Sequence, residues 1–215
     1  MPQLTTHAEL ERPHVLILFS STCMMFWIAH ILFWCYTFAL SSCNIKVHRP
    51  KFATLLPSRR GVNCAVLRVP ILYGQIETIE ESAVTTLLNT LMNQDNVDLV
   101  NDCCIRCPTH VDDIAVVCRQ MCERRTTDPE SVSGVFHWCR ADFMTKYTML
   151  VTIANVFNLP HDHIRANPVQ PTGETPRPKD CSMDRSKLVN LGIGQTTPFT
   201  EGIQKVMKPF ISKNQ

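Results

Sequence analysis

The chain has 215 residues, is 45% hydrophobic and 19% charged, and carries a net charge of +2. That composition is ordinary for a globular protein, and the scattered basic residues exclude the charge excess that draws a chain onto nucleic acid. Eleven cysteines, an odd number in a chain this long, do not form the paired framework of a small secreted domain and fit reduced cytosolic thiols.

Val15–Leu40 contains no Asp, Glu, Lys or Arg. A bilayer span needs about 20 apolar residues, so the stretch is long enough to be a transmembrane helix. Lys46, Arg49, Lys51, Arg59 and Arg60 follow it, which would leave the remainder of the chain cytoplasmic. Three readings of residues 1–60 compete: a membrane anchor at 15–40, a signal peptide, and a variant start joined to a domain that begins at 61. The apolar core is overlong for a signal peptide and no small-residue cleavage site follows it. The third reading is the working expectation, with residues 61–215 as the folded unit and a cytoplasmic location.

Cys64–Val69 is a short apolar run of the kind found in parallel strands buried on both faces, and Pro70 ends it by removing a donor. Val84, Leu87, Leu88 and Leu91 have helical spacing, with Glu77, Glu80 and Glu81 at the dipole-favoured end. Asn93–Asn96 stops that helix, and Val97–Val100 reads as a brief strand. Ile114, Val117, Cys118, Met121 and Cys122 form one face of the next helix. Thr109 and Asp112 have capping-box spacing at its start, and Arg124 and Arg125 suit its C-terminal end.

Val135–Trp138 is a predicted strand. Thr145 is positioned to cap a helix whose Tyr147, Leu150, Val151 and Ala154 point one way, ended by Asn158 and Pro160. Asp184 starts a short helix closed by Gly192, and Thr200 starts a last one with Ile203, Val206, Met207 and Phe210 on one face. Strands alternating with helices imply an α/β architecture.

Taken in order, LRVPILYG (67–74), EESAVT (80–85), PTHVDDIAVVCRQ (108–120), FHW (136–138), MTKYTML (144–150), FNLP (157–160), RP (177–178), SKL (186–188) and LGIGQTTPF (191–199) carry a family likeness. They resemble the C-terminal half of extended short-chain dehydrogenase-like proteins of the dTDP-4-dehydrorhamnose reductase type. Within that group the likeness is to the regulatory beta subunits of methionine adenosyltransferase. The resemblance implies an incomplete Rossmann-like fold with its substrate-side subdomain. It further implies a non-catalytic subunit, shortened here, that binds the catalytic alpha subunit and tunes its kinetics in S-adenosylmethionine biosynthesis. Full-length members hold NADP. The residues after the strand-ending proline line the nicotinamide end of that site, which maps onto Ile71, Leu72 and Tyr73, with Leu72 as the backbone contact. The extreme C-terminus of the family reaches into the partner, whereas Ser212–Gln215 is short and polar.

The alternatives are a remnant of an NADP-dependent nucleotide-sugar reductase or epimerase, and a membrane-anchored interaction protein. Reductase chemistry in this superfamily needs Tyr-x-x-x-Lys, in which the lysine one turn on lowers the phenol's pKa. Tyr36, Tyr73 and Tyr147 each lack that lysine. No glycine-rich strand-to-helix turn is present to cradle a pyrophosphate, and Gly192-Ile-Gly194 follows a helix instead. No catalytic residue is therefore expected, nor NADP binding by this chain alone. Cys104-x-x-Cys107 with Cys118-x-x-x-Cys122 loosely matches zinc spacing, but the second pair belongs to an apolar helix face, so no metal site is expected. His161 and His163 flank Asp162 in a polar turn and read as solvated, while His110 and His137 read as structural. Arg177 and Lys187 divide evenly between an anion clamp and a salt-bridged turn.

Overall fold

The computed structural model describes residues 14–19, 44–48, 64–169 and 178–212, the first two segments as backbone strands. β1 (His14–Phe19), β2 (Asn44–His48), β3 (Cys64–Val69) and β7 (Gly134–His137) form a parallel sheet in the order β2-β1-β3-β7. β4 (Leu72–Tyr73) pairs with β6 (Thr109–His110), and β5 (Asp98–Asn101) pairs with β8 (Ile164–Asn167), both in parallel. The helices are α1 (Leu87–Met92), α2 (Val111–Thr127), α3 (Lys146–Phe157), α4 (Ser186–Asn190) and α5 (Phe199–Ile211).

The head of the apolar stretch, residues 15–19, is therefore strand: β1 lies between β2 and β3, with Val15 opposite both Ile45 and Ala65. Most of the remaining stretch lies outside the described residues. Among the described residues no helix is long and apolar enough to cross a membrane.

β3 forms where its sequence predicts. Ala65, Val66, Leu67 and Val69 are all fully buried, as a strand covered on both faces requires, and Pro70 follows directly. α2 also buries the face its spacing predicts: Ile114, Val117, Cys118, Met121 and Cys122 are each at most 1% exposed. Sinking a large apolar side chain of this kind contributes roughly 1.5–3 kcal/mol, so this stripe does more for the helix than propensity does. α3 and α5 pack on each other, α3 also reaches β5, and α4 lies against β7. Met149, Leu150, Ile153 and Ala154 of α3 and Ile203, Val206 and Met207 of α5 belong to the same apolar core.

Several local expectations are corrected. The α2 cap is His110 rather than Thr109, and the His110 Nδ1 accepts from the Asp112 N–H at 3.2 Å. Pairing of β4 with β6 holds Thr109 in a strand one residue too early to cap. Arg125 lies in the last turn of α2, as its place in the sequence suggests, and is only 1% exposed. Its guanidinium turns inward to donate to the carbonyls of Pro129 and Val132, closing the turn that leads into β7. α5 starts at Phe199 after Pro198 rather than at Thr200, α4 starts at Ser186, two residues after Asp184, and α1 starts only at Leu87, leaving Glu77, Glu80 and Glu81 outside its first turn. The α3 cap and the C-terminal signals agree with the sequence. Thr145 caps α3 and accepts from the Thr148 N–H at 3.1 Å, and Asn158 closes it in the left-handed region at φ 52°. Gly192, at φ +71°, ends the turn after α4 in a conformation few other residues tolerate.

Gly202 is set inside α5 for a different reason. A Cβ there would meet the Tyr73 hydroxyl and come within 3.1 Å of two of its ring carbons. At an open helical position Gly→Ala stabilises by about 1 kcal/mol. Here Gly202→Ala is expected to destabilise by roughly 1–3 kcal/mol through overpacking, measured by denaturant unfolding. Adding Tyr73→Phe, which removes the obstructing hydroxyl, should recover much of the loss.

Candidate functional site

The site grows from the end of β3. After Pro70 the chain re-enters extended structure as β4, and Leu72 and Tyr73 become buried opposite Thr109 and His110. The Leu72 carbonyl accepts from the Ser82 hydroxyl at 3.1 Å, so that main-chain acceptor is already engaged within the fold. The Tyr73 ring is wholly enclosed. It stands edge-on to His110 with centroids 5.2 Å apart and to Phe199 at 5.3 Å, and its hydroxyl abuts Gly202.

Two charged side chains share this buried region. Asp113, 2% exposed in the first turn of α2, accepts from the Thr197 N–H at 2.8 Å and the Thr197 hydroxyl at 2.7 Å. Its carboxylate thus fastens the segment that leads into α5. Arg140, 9% exposed just after β7, donates its main-chain N–H to the Thr109 hydroxyl at 3.2 Å and pairs with Asp142. Burial lowers the Arg140 pKa from the ordinary guanidinium range, opposed by the neighbouring Tyr73 and Asp113. Burial likewise pushes the Tyr73 phenol well above its usual range; Arg140 pulls it down and Asp113 adds to the rise.

Tyr73 is consequently a protonated phenol at neutral pH, held beside a guanidinium. Neither the Tyr73 hydroxyl nor Arg140 Nη1 has a hydrogen-bond partner among the described residues. These are donors suited to an oxygen acceptor. Lys205, the α5 lysine three residues beyond Gly202, is 76% exposed and pairs with Asp112 at 3.6 Å.

Residues 58–212 match the RmlD substrate binding domain. The chain belongs to that family. Among curated relatives, it is 45% identical over 151 residues to methionine adenosyltransferase 2 subunit beta of Mus musculus, covering 70% of this chain and 45% of the relative. The Xenopus laevis subunit is 45% identical over 147 residues, covering 68% and 44%, and that of Danio rerio is 41% identical over 154 residues, covering 71% and 47%. This RmlD-family chain thus spans about half the length of the curated relatives it matches.

Solved structures share the fold. A dTDP-4-dehydrorhamnose reductase from Bacillus anthracis, in complex with NADP, aligns at TM-score 0.53 and 19% identity over 68% of this chain and 48% of that one. A UDP-glucose 4-epimerase from Thermotoga maritima, with UDP-glucose, aligns at 0.54 and 15% over 77% and 51%. The architecture is therefore α/β and Rossmann-like, of the extended short-chain dehydrogenase type, as expected.

Among the described residues no glycine-rich strand-to-helix turn is present of the kind that cradles a pyrophosphate on backbone amides.

Other residues singled out in the sequence fall elsewhere. Lys187 donates to the Val135 carbonyl at 3.3 Å, and Arg177 lies outside the described residues. His163 Nε2 contacts the Thr90 carbonyl at 3.2 Å and His161 Nδ1 the Leu159 carbonyl at 3.4 Å, tying the Asp162 turn to its surroundings. Among the described residues no group of three or more His, Cys, Asp or Glu is placed to hold a metal ion. Arg140, Asp113 and Thr197 went unmarked in the sequence, since they converge only through tertiary packing. The paired aspartates at the α2 start were the sole signal.

Removing the Asp113 carboxylate strands two donors. Asp113→Ala is expected to cost about 3 kcal/mol in denaturant unfolding, typical of buried hydrogen bonds to a charged group, while Asp112→Ala on the exposed side costs far less. His137 supplies a pH signature. Burial, then the Arg68 cation, lowers its pKa from 6.5, partly opposed by Asp184. Below about 6.5 the unfolded chain takes up a proton that folded His137 resists, so this group contributes stability above that pH and loses it on acidification. His137→Gln should flatten the fall in melting temperature between about pH 7 and 5.5.

Proposed function

We propose that this chain acts as a non-catalytic regulatory subunit of methionine adenosyltransferase, binding the catalytic alpha subunit and tuning its kinetics in S-adenosylmethionine biosynthesis. One observation carries the reading: identity of 41–46% to methionine adenosyltransferase 2 beta subunits, against 14–19% to the reductases and epimerases that share the fold. The site supports it. Tyr73 is enclosed by His110, Phe199 and Gly202, so a substrate carbonyl does not reach its phenol.

In this reading residues 61–215 are the docking unit and the protein is cytoplasmic. NADP belongs to full-length members; this chain alone does not retain it, although the Leu72 main chain marks where the nicotinamide end would lie. The test is co-purification of the whole chain with the catalytic alpha subunit, followed by size-exclusion chromatography and steady-state assay. Co-elution with an altered methionine or ATP dependence is the expected result. Separate elution with unchanged kinetics overturns the proposal, and NADPH-dependent turnover of a dTDP-4-keto sugar would favour a reductase instead.

A further inference from the structure

Two neighbouring thiols meet in the loop between β5 and β6. The Cys103 and Cys104 sulfurs lie 3.3 Å apart, and Asn101 organises both residues. Its side-chain N–H donates to the Cys103 Sγ at 3.2 Å, and its side-chain oxygen accepts from the Cys104 N–H at 3.1 Å. The loop is pinned on either side of the pair. Ahead of it, the Asp102 N–H donates to the Asn167 carbonyl at 2.8 Å, and the Asp102 carboxylate accepts from the Thr145 hydroxyl at 2.6 Å. After it, the N–H groups of Ile105 and Arg106 donate to the carbonyls of Lys179 and Met144, each at 2.8 Å. Cys103 is half-buried and Cys104 is 5% exposed, so solvent meets the pair at Cys103.

We propose that Cys103 and Cys104 are a two-sulfur chelating site for a trivalent arsenical. The spacing selects the class of centre. On the scale of a zinc–thiolate bond, about 2.3 Å, sulfurs 3.3 Å apart subtend an angle of about 90° at the atom they share. That is the geometry of a pyramidal, three-coordinate centre. A tetrahedral ion asks for sulfurs roughly 3.8 Å apart, and a linear one for roughly 4.6 Å, at the same bond length. Structural zinc also needs four ligands, and among the described residues no group of three or more His, Cys, Asp or Glu is placed to hold a metal ion. The backbone opposes a disulfide between the two. Cα atoms joined by a trans peptide are about 3.8 Å apart, short of the roughly 4.4–6.8 Å that a disulfide spans.

Capture needs no oxidant. With phenylarsine oxide, one thiol attacks arsenic and the second follows. Two S–As bonds form, the As–O bond breaks, and the two thiol protons leave with the oxygen as one water. Arsenic stays trivalent and no electrons change hands. Once the first sulfur is bonded, its neighbour is already within bonding range, so the second step is intramolecular. Avidity then exceeds that of a single thiol by roughly 10²–10⁴-fold.

The experiment titrates the purified, reduced full chain with phenylarsine oxide, counts the remaining thiols, and locates the arsenic by mass spectrometry of tryptic peptides. Val69–Arg106 is one tryptic peptide, and its only cysteines are this pair. Arsenic retained on that peptide, loss of two titratable thiols, and release by dithiothreitol but not by mercaptoethanol at equal thiol concentration are expected. Cys103→Ser and Cys104→Ser should each weaken capture about a hundredfold. Asn101→Ala, which keeps both thiols but loses the side chain that positions them, should weaken it about fivefold. Arsenic found only on other peptides overturns the proposal, as does capture by Asn101→Ala as tight as that of the unaltered chain. The wild-type peptide map decides the site even if a variant folds poorly.

Discussion

A buried carboxylate joins the two halves of the described core. Asp113 stands in the first turn of α2, where the helix dipole favours a negative charge, and it spends both oxygens on Thr197, just ahead of α5. With that segment held, α5 lies so that Gly202 meets the Tyr73 hydroxyl and Phe199 covers the ring edge. Tyr73 in turn belongs to β4, whose partner β6 runs straight into α2. The arrangement is a closed circuit of β4, β6, α2 and α5, in which each contact presupposes the others.

That circuit seals Tyr73 in: burial raises the phenol's pKa, Arg140 opposes the rise, and the hydroxyl has no hydrogen-bond partner among the described residues.

The cysteines follow the same logic of position. Cys118 and Cys122 are spent as small hydrophobes on the buried face of α2. Cys107 and Cys139 are equally buried, their thiols set against the carbonyls of Cys181 and Met183. Sequence spacing grouped Cys104 and Cys107 with Cys118 and Cys122. Among the described residues the fold brings no three His, Cys, Asp or Glu together to hold a metal ion.

Much of the architecture was readable from local pattern alone. An apolar run halted by Pro70 specifies β3, a stripe from Ile114 to Cys122 specifies α2, and Thr145, Asn158 and Gly192 mark termini because their own side chains or backbone freedom satisfy the chain there. Each is a short-range effect carried by neighbouring residues. The two-residue strands β4 and β6, and β8 with its sequence IRAN, carry no such pattern, since their hydrogen bonds come from partners tens of residues away. The same pairing made His110 rather than Thr109 the cap of α2. The site divides along the same line. Ile71, Leu72 and Tyr73 stood out in the sequence, whereas Arg140, Asp113 and Thr197 acquired their roles only when packing removed water from around them, because a charge is indifferent to its chain neighbours until burial obliges it to find a partner.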